Sequence, residues 1–194
     1  MAVQTVFQRY EMKYLLTQAQ REAVLRALEP HMALEPYGRT VIRNLYLDTE
    51  SYRLIRRSIE KPVYKEKMRI RCYGPAHPDS PVFVELKKKY KKVVYKRRLS
   101  LPEREAMDWV LGRRACPAGT QISEEVDYFL RYYAPLRPVA FLSYAREAYF
   151  AKDGSDFRVT FDDTILCRQD DLSLESAYQT LIYPNLQKEA VRYA

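Results

Sequence analysis

The segment Lys65-Glu66-Lys67-Met68-Arg69-Ile70-Arg71-Cys72 carries a cation at every second position. In a β-strand alternate side chains point to opposite faces, so Lys65, Lys67, Arg69 and Arg71 share one face and Met68, Ile70 and Cys72 the other. Such a face repels itself unless something strongly anionic sits on it. The surroundings sharpen the point. Between Lys61 and Arg98 lie 13 of the 33 Lys and Arg residues, against only Glu66, Asp79 and Glu85.

A chain of 194 residues that is 47% hydrophobic can bury one sizeable core, and a second would be hard to supply. The net charge of +8 favours phosphate-rich partners: nucleotide, nucleic acid, polyphosphate or an anionic membrane surface. Cys72, Cys116 and Cys167 are odd in number and form no CxxC pair, which fits buried or inert thiols in a reducing compartment. His31 and His77 have no metal-spaced partner and read as surface residues. No apolar run approaches a membrane span, and the Met1 end lacks a signal-peptide core, so the sequence reads as cytosolic. There is no GxxxxGK[ST] loop, no GxSxG elbow and no Cys-His arrangement. Nor is there a helix-turn-helix, zinc-finger or RNP pattern, so no specific nucleic-acid partner is expected.

The chain opens as a strand within Val3 to Leu16. Thr17 and Gln20 have capping-box spacing before the apolar stripe Ala23, Val24, Ala27 and Leu28. Thr40 to Asp48 alternates as a strand. A short helix is expected from about Glu50 to Ser58 with Leu54 and Ile55 inward. Strands follow at Val63 to Tyr73, Val82 to Lys88 and Val93 to Leu101, the last two joined by a tight basic turn. Leu101-Pro102 opens a helix to about Leu111, and Ser123 is expected to cap another to about Tyr133. Pro138 to Lys152 and Asp156 to Arg168, linked by Asp153-Gly154-Ser155, complete the strands.

About seven strands with few crossover helices predict an α+β fold: an antiparallel β-barrel with flanking helices. Phe83, Glu85 and Lys87 share a face opposite Val82, Val84 and Leu86. Lys96 and Arg98 lie together, as do Arg158, Thr160 and Asp162. If the apolar faces pack against helices, the charged faces converge inside a cationic tunnel.

The residues Phe7-Gln8-Arg9-Tyr10-Glu11-Met12-Lys13-Tyr14, Asn44-Leu45-Tyr46-Leu47-Asp48-Thr49 and Met68-Arg69-Ile70-Arg71-Cys72-Tyr73-Gly74 begin a recognisable series. It continues with Phe83-Val84-Glu85-Leu86-Lys87, Tyr95-Lys96-Arg97-Arg98, Tyr144-Ala145-Arg146 and Arg158-Val159-Thr160-Phe161-Asp162. In this order they resemble the VTC domain, the polyphosphate-polymerase branch of the triphosphate tunnel metalloenzymes and a relative of the CYTH domains. The resemblance spans Phe7 to Leu174.

It implies a tunnel that binds ATP and inorganic polyphosphate and transfers the γ-phosphoryl group, assisted by Mg²⁺ or Mn²⁺. Arg69, Arg71, Lys87, Lys96, Arg146 and Arg158 would serve catalysis, and Lys13, Lys65, Lys67 and Arg98 would bind phosphate. Glu11 and Glu85 are candidate metal ligands or orienters of the cations. Tyr10, Tyr46, Tyr73 and Tyr144 could stack on an adenine, with rim packing the default. A separate membrane protein is implied as a partner in some settings. Hydrolysis of a triphosphate and polyphosphate binding without turnover are the alternatives. The family pattern also expects a further strand bearing Glu-x-Lys, whose Glu binds metal, and no equivalent is legible here. Residues 175–194 therefore read as a divergent tail, and the barrel as open on one side with an unpaired edge.

Overall fold

The computed structural model describes residues 6–9, 11–117, 119–175 and 189–193. Its strands are β1 (Val6–Arg9), β2 (Met12–Leu16), β3 (Met32–Leu34), β4 (Thr40–Asp48), β5 (Tyr64–Tyr73), β6 (Pro81–Tyr90), β7 (Val93–Pro102), β8 (Arg137–Ala151), β9 (Arg158–Arg168) and β10 (Glu189–Tyr193). The helices among the described residues are α1 (Gln18–Leu28), α2 (Arg53–Ile59), α3 (Glu103–Val110) and α4 (Gln121–Tyr132). One antiparallel sheet runs β1-β7-β6-β5-β4-β8-β9-β10-β2, with β3 on β8. Its two ends, β1 and β2, are separated in the chain by only Tyr10 and Glu11, so the sheet curls round on itself.

Alternation sets the layers. Met68 and Ile70 of β5 and Val82, Val84 and Leu86 of β6 are fully buried, and they pack with Trp109 of α3 and Val126 and Phe129 of α4. Burying each such large side chain contributes about 1.5–3 kcal/mol, and this outer core fixes which face of β5 and β6 is left for the interior. A smaller cluster of Met32, Val159 and Phe161 packs with Val24, Leu25 and Leu28 of α1.

Helix ends follow local chemistry. Thr17 and Gln20 form the expected capping box of α1. The cap of α4 is Thr120, not Ser123; Ser123 is the third helical residue and accepts from the Thr120 backbone N–H in a capping box, so the cap lies three residues earlier than expected. For α2 the buried Asp48 carboxylate, at the end of β4, accepts from the backbone N–H groups of Leu54 and Ile55. Only Leu54 and Ser58 of α2 are buried, and Ile55 is 40% exposed, which corrects its expected inward position. A seven-residue helix lying on β4 and β5 seats only one narrow stripe.

The sheet is open as expected, but its open ends are β1 and β2 and not β9. β10 pairs with β9 through Ala190↔Asp162 and Arg192↔Thr160, and with β2 through Arg192↔Lys13. Five residues without a clear apolar alternation gave no readable strand signal. β3 was missed for the same reason of length. No helix among the described residues is long and apolar enough to cross a membrane.

Candidate anion site on the inner face of the sheet

The inner face is built from rungs of residues in register. Tyr46, Arg69, Glu85 and Arg98 stand side by side across β4, β5, β6 and β7. On one side of this rung run Asn44, Arg71 and Phe83; on the other run Lys67, Lys87 and Lys96. Lys65 pairs with Lys89 one rung further on. From Lys65 to Arg71 this track extends along β5 for about 20 Å at a strand rise of ~3.4 Å per residue. Three lysines directly opposite one another are unfavourable in a sheet unless an anion neutralises them.

Glu85 is the hub. It is fully buried, and the Arg69 guanidinium forks onto its Oε2 at 2.8 and 2.6 Å. The Lys96 ammonium lies 3.5 Å from Oε1, the Arg71 Nε 3.8 Å from Oε2 and an Arg98 nitrogen 4.0 Å from Oε1. Burial alone would raise the Glu85 pKa, but Arg69, Arg71 and Lys96 outweigh it and hold the carboxyl well below the usual range. One carboxylate thus orders four cations and leaves them with a large net positive charge. Burial pushes Lys96 down to about 7, against the attraction of Glu85. Lys87, which donates to Glu11 at 2.7 Å, is pushed down to about 8, again chiefly by burial. Both lysines stand where a bound anion would favour their charged forms.

Aromatic and amide groups hold the guanidinium planes. Arg71 donates to Asn44 Oδ1 and to the Tyr144 hydroxyl, each at 3.0 Å. Arg69 donates to the Tyr46 hydroxyl at 3.2 Å. Arg98 lies 4.2 Å from the Phe83 ring centre and Arg146 5.1 Å from that of Tyr144. Tyr46 and Tyr144 are thereby engaged as supports for arginines. Tyr73 is exposed and meets Phe83 edge-on, and Tyr10 lies outside the described residues.

The β8–β9 side is different. Arg146 is directly opposite Asp162 and forks onto both its oxygens at 2.6 and 2.7 Å. Arg158 donates to Glu35, Arg39 pairs with Asp163, and Arg21 meets Glu147 at 2.5 Å. Cations here are matched one for one by acids. The structure therefore brings Arg69, Arg71, Lys87, Lys96 and Arg98 together with Glu85 and Glu11, while Arg158 is held by Glu35. Lys13, 56% exposed, lies 3.6 Å from Glu11, and Lys65 donates to the Ser58 carbonyl. Glu66 faces the helices instead, accepting from the hydroxyls of Tyr64 and Tyr133. The roles of Asn44, Tyr144 and Glu35 as partners were missed; Asn44 and Tyr144 sat in motifs already noted, whereas Glu35 carried no signal. Arg192, opposite Thr160 in register, was missed with its strand.

The carboxylates on this face do not by themselves make a divalent-cation site. Both Glu85 oxygens face cations, Asp162 is taken up by Arg146, and Glu11 meets Lys87 and Lys13. Among the described residues no group of three or more His, Cys, Asp or Glu is placed to hold a metal ion.

Comparison with known families places this arrangement. The VTC domain model matches residues 8–192. The chain belongs to the VTC domain family. A search of curated proteins returns no match. Among solved structures, a putative adenylate cyclase of Bacillus halodurans is similar with a TM-score of 0.61 at 15% identity, covering 98% of this chain and 81% of that one. The putative adenylyl cyclase of Hippeastrum, described as having a dominant triphosphatase activity, gives 0.57 at 13% identity, covering 98% and 79%. These likenesses show the fold: the VTC domain here has the CYTH-like tunnel architecture, with a curled antiparallel sheet and helices outside it.

Proposed function

We propose that this VTC domain binds ATP and inorganic polyphosphate along the β5–β7 wall and transfers the γ-phosphoryl group to the end of the polyphosphate chain. The observation that carries this reading is the uninterrupted cationic track from Arg71 through Arg69, Lys87 and Lys96 to Lys65. A compact anion needs one rung; a track of several rungs suits a linear polyanion. Arg69, Arg71 and Arg98 would fork onto phosphate oxygens, and Lys87 and Lys96 would act as point charges. Transfer breaks the bond between the γ-phosphorus and its bridging oxygen, leaving ADP, and forms a bond to a terminal polyphosphate oxygen. Positioning and neutralisation of the charge on the transferring group are the protein's main contribution. No step is assigned to a divalent metal, since the described carboxylates are committed to cations; Mg²⁺ or Mn²⁺ would enter with the phosphates it already binds.

Hydrolysis of a triphosphate is the second reading, favoured by the CYTH-like architecture, with water replacing the chain end as acceptor. The test is to incubate the purified protein with ATP and Mn²⁺, Mg²⁺ or no added metal, resolving polyphosphate, ADP and orthophosphate over time. Accumulating polymer supports transfer. ADP with orthophosphate and no polymer replaces it with hydrolysis, and no turnover by folded protein leaves binding alone.

A further inference from the structure

We propose that the outer surface formed by α2 and its flanks, with the exposed tyrosines of α4, is a docking site for an anionic lipid surface. The proposal does not rest on the tunnel's activity. α2 lies on β4 and β5 through Leu54 and Ser58 alone, which leaves the remaining side chains of the helix exposed. Tyr52 is 40% exposed, Ile55 40%, Ile59 70% and Val63 66%. Ile55 and Ile59 are one helical turn apart and so share a side. A single exposed apolar residue needs no explanation, but four within twelve residues concentrate apolar surface in one short segment.

Charge identifies the occupant. From Tyr52 to Val63 there are four cations, Arg53, Arg56, Arg57 and Lys61, all exposed, against one acid, Glu60. On α1, α3 and α4, Arg21 meets Glu147, Arg104 meets Asp79 and Arg131 meets Asp127. Arg53 instead lies 5.7 Å from the Tyr132 ring centre and 5.2 Å from that of Tyr133, and Arg56 donates to the Ser51 carbonyl. Tyr132 stacks on Tyr128, and both are more than half exposed. Aliphatic side chains for the acyl boundary, tyrosines for the headgroup level and arginines for anionic headgroups are the chemistry of an interfacial element. An acidic protein surface would also answer the arginines, but it would give no flotation with protein-free vesicles.

The experiment is flotation of the whole chain with phosphatidylcholine vesicles, with and without phosphatidylserine, in saturating tripolyphosphate so that the tunnel is filled. Wild type is expected to float with the phosphatidylserine vesicles only. Ile55→Ser with Ile59→Ser should reduce the bound fraction about tenfold, and Arg56→Glu with Arg57→Glu should abolish it, with thermal unfolding of both variants showing a native domain. Three results overturn the proposal: no flotation of wild type, flotation that tripolyphosphate removes, or flotation that the isoleucine substitutions leave unchanged. Because tripolyphosphate binding is measured separately, failure here is distinguishable from failure of the tunnel assignment.

Discussion

Arg69 and Glu85 stand directly opposite each other on β5 and β6, and the guanidinium grips one carboxylate oxygen through both Nε and Nη2. Around that pair the same carboxylate also draws in Arg71, Lys96 and Arg98. The pairing stores positive charge at high density while keeping it folded. Glu85→Gln should therefore destabilise the free domain by about 3 kcal/mol, as expected for cations left uncompensated in a buried cluster. Tripolyphosphate should recover most of that loss in urea unfolding. A loss that the anion does not relieve would mean that Glu85 acts in packing rather than charge balance.

The two sides of the tunnel should respond unequally to truncation. Arg71→Ala removes a buried fork aimed at the inner face, and its charge-assisted hydrogen bonds to phosphate are worth about 1.5–3 kcal/mol. Its tripolyphosphate affinity should fall tenfold or more. Arg158 is 40% exposed and held by Glu35, so Arg158→Ala should change affinity by no more than about threefold. Equal losses measured by calorimetry would refute the asymmetry between the β5–β7 and β8–β9 walls.

Affinity and stability should move in opposite directions with pH. Lys96 and Lys87 sit at about 7 and about 8, below the ordinary lysine value of 10.5. Between these folded values and 10.5 the unfolded chain holds more protons than the native one, so these groups make stability rise with pH across that window. The anion requires the ammonium forms, so the lysines should lower its affinity severalfold from pH 7 to pH 9; the ligand's own last ionisation falls in the same range and is common to wild type and variants, so the comparison between them isolates the lysine part. Lys96→Met should flatten much of that fall; an unaltered pH profile in the variant would exclude Lys96 as its source.

Local patterns carried most of the fold. The period-two cations of β5 were legible because alternation alone assigns faces, and the structure puts Met68 and Ile70 against the helices as that alternation requires. The bounds of β4 were legible from its apolar alternation before Thr49. What stayed hidden depended on partners remote in sequence: Arg158 meets Glu35 across 123 residues, and β10 is a strand because β9 and β2 supply its hydrogen bonds. Ser123 misled because a serine in the first turn of a helix resembles a cap when the true cap, Thr120, has the same chemistry.

That cap gives a control on stability. Thr120→Ala removes the acceptor for the Ser123 backbone N–H and should cost about 1 kcal/mol. Because α4 packs on the outer face, tripolyphosphate affinity should stay at the wild-type value; a changed affinity would couple the helical layer to the tunnel wall.

The most direct test of the central claim is calorimetric titration of tripolyphosphate into the domain in the presence of a metal chelator, comparing wild type with Arg71→Ala combined with Lys87→Ala. The account predicts binding by the wild type without metal and a loss of at least about 100-fold in the variant, two charge-assisted contacts being worth together about 3 kcal/mol or more. Equal affinities in a variant shown to be folded would contradict the assignment of the β5–β7 wall as the phosphate site.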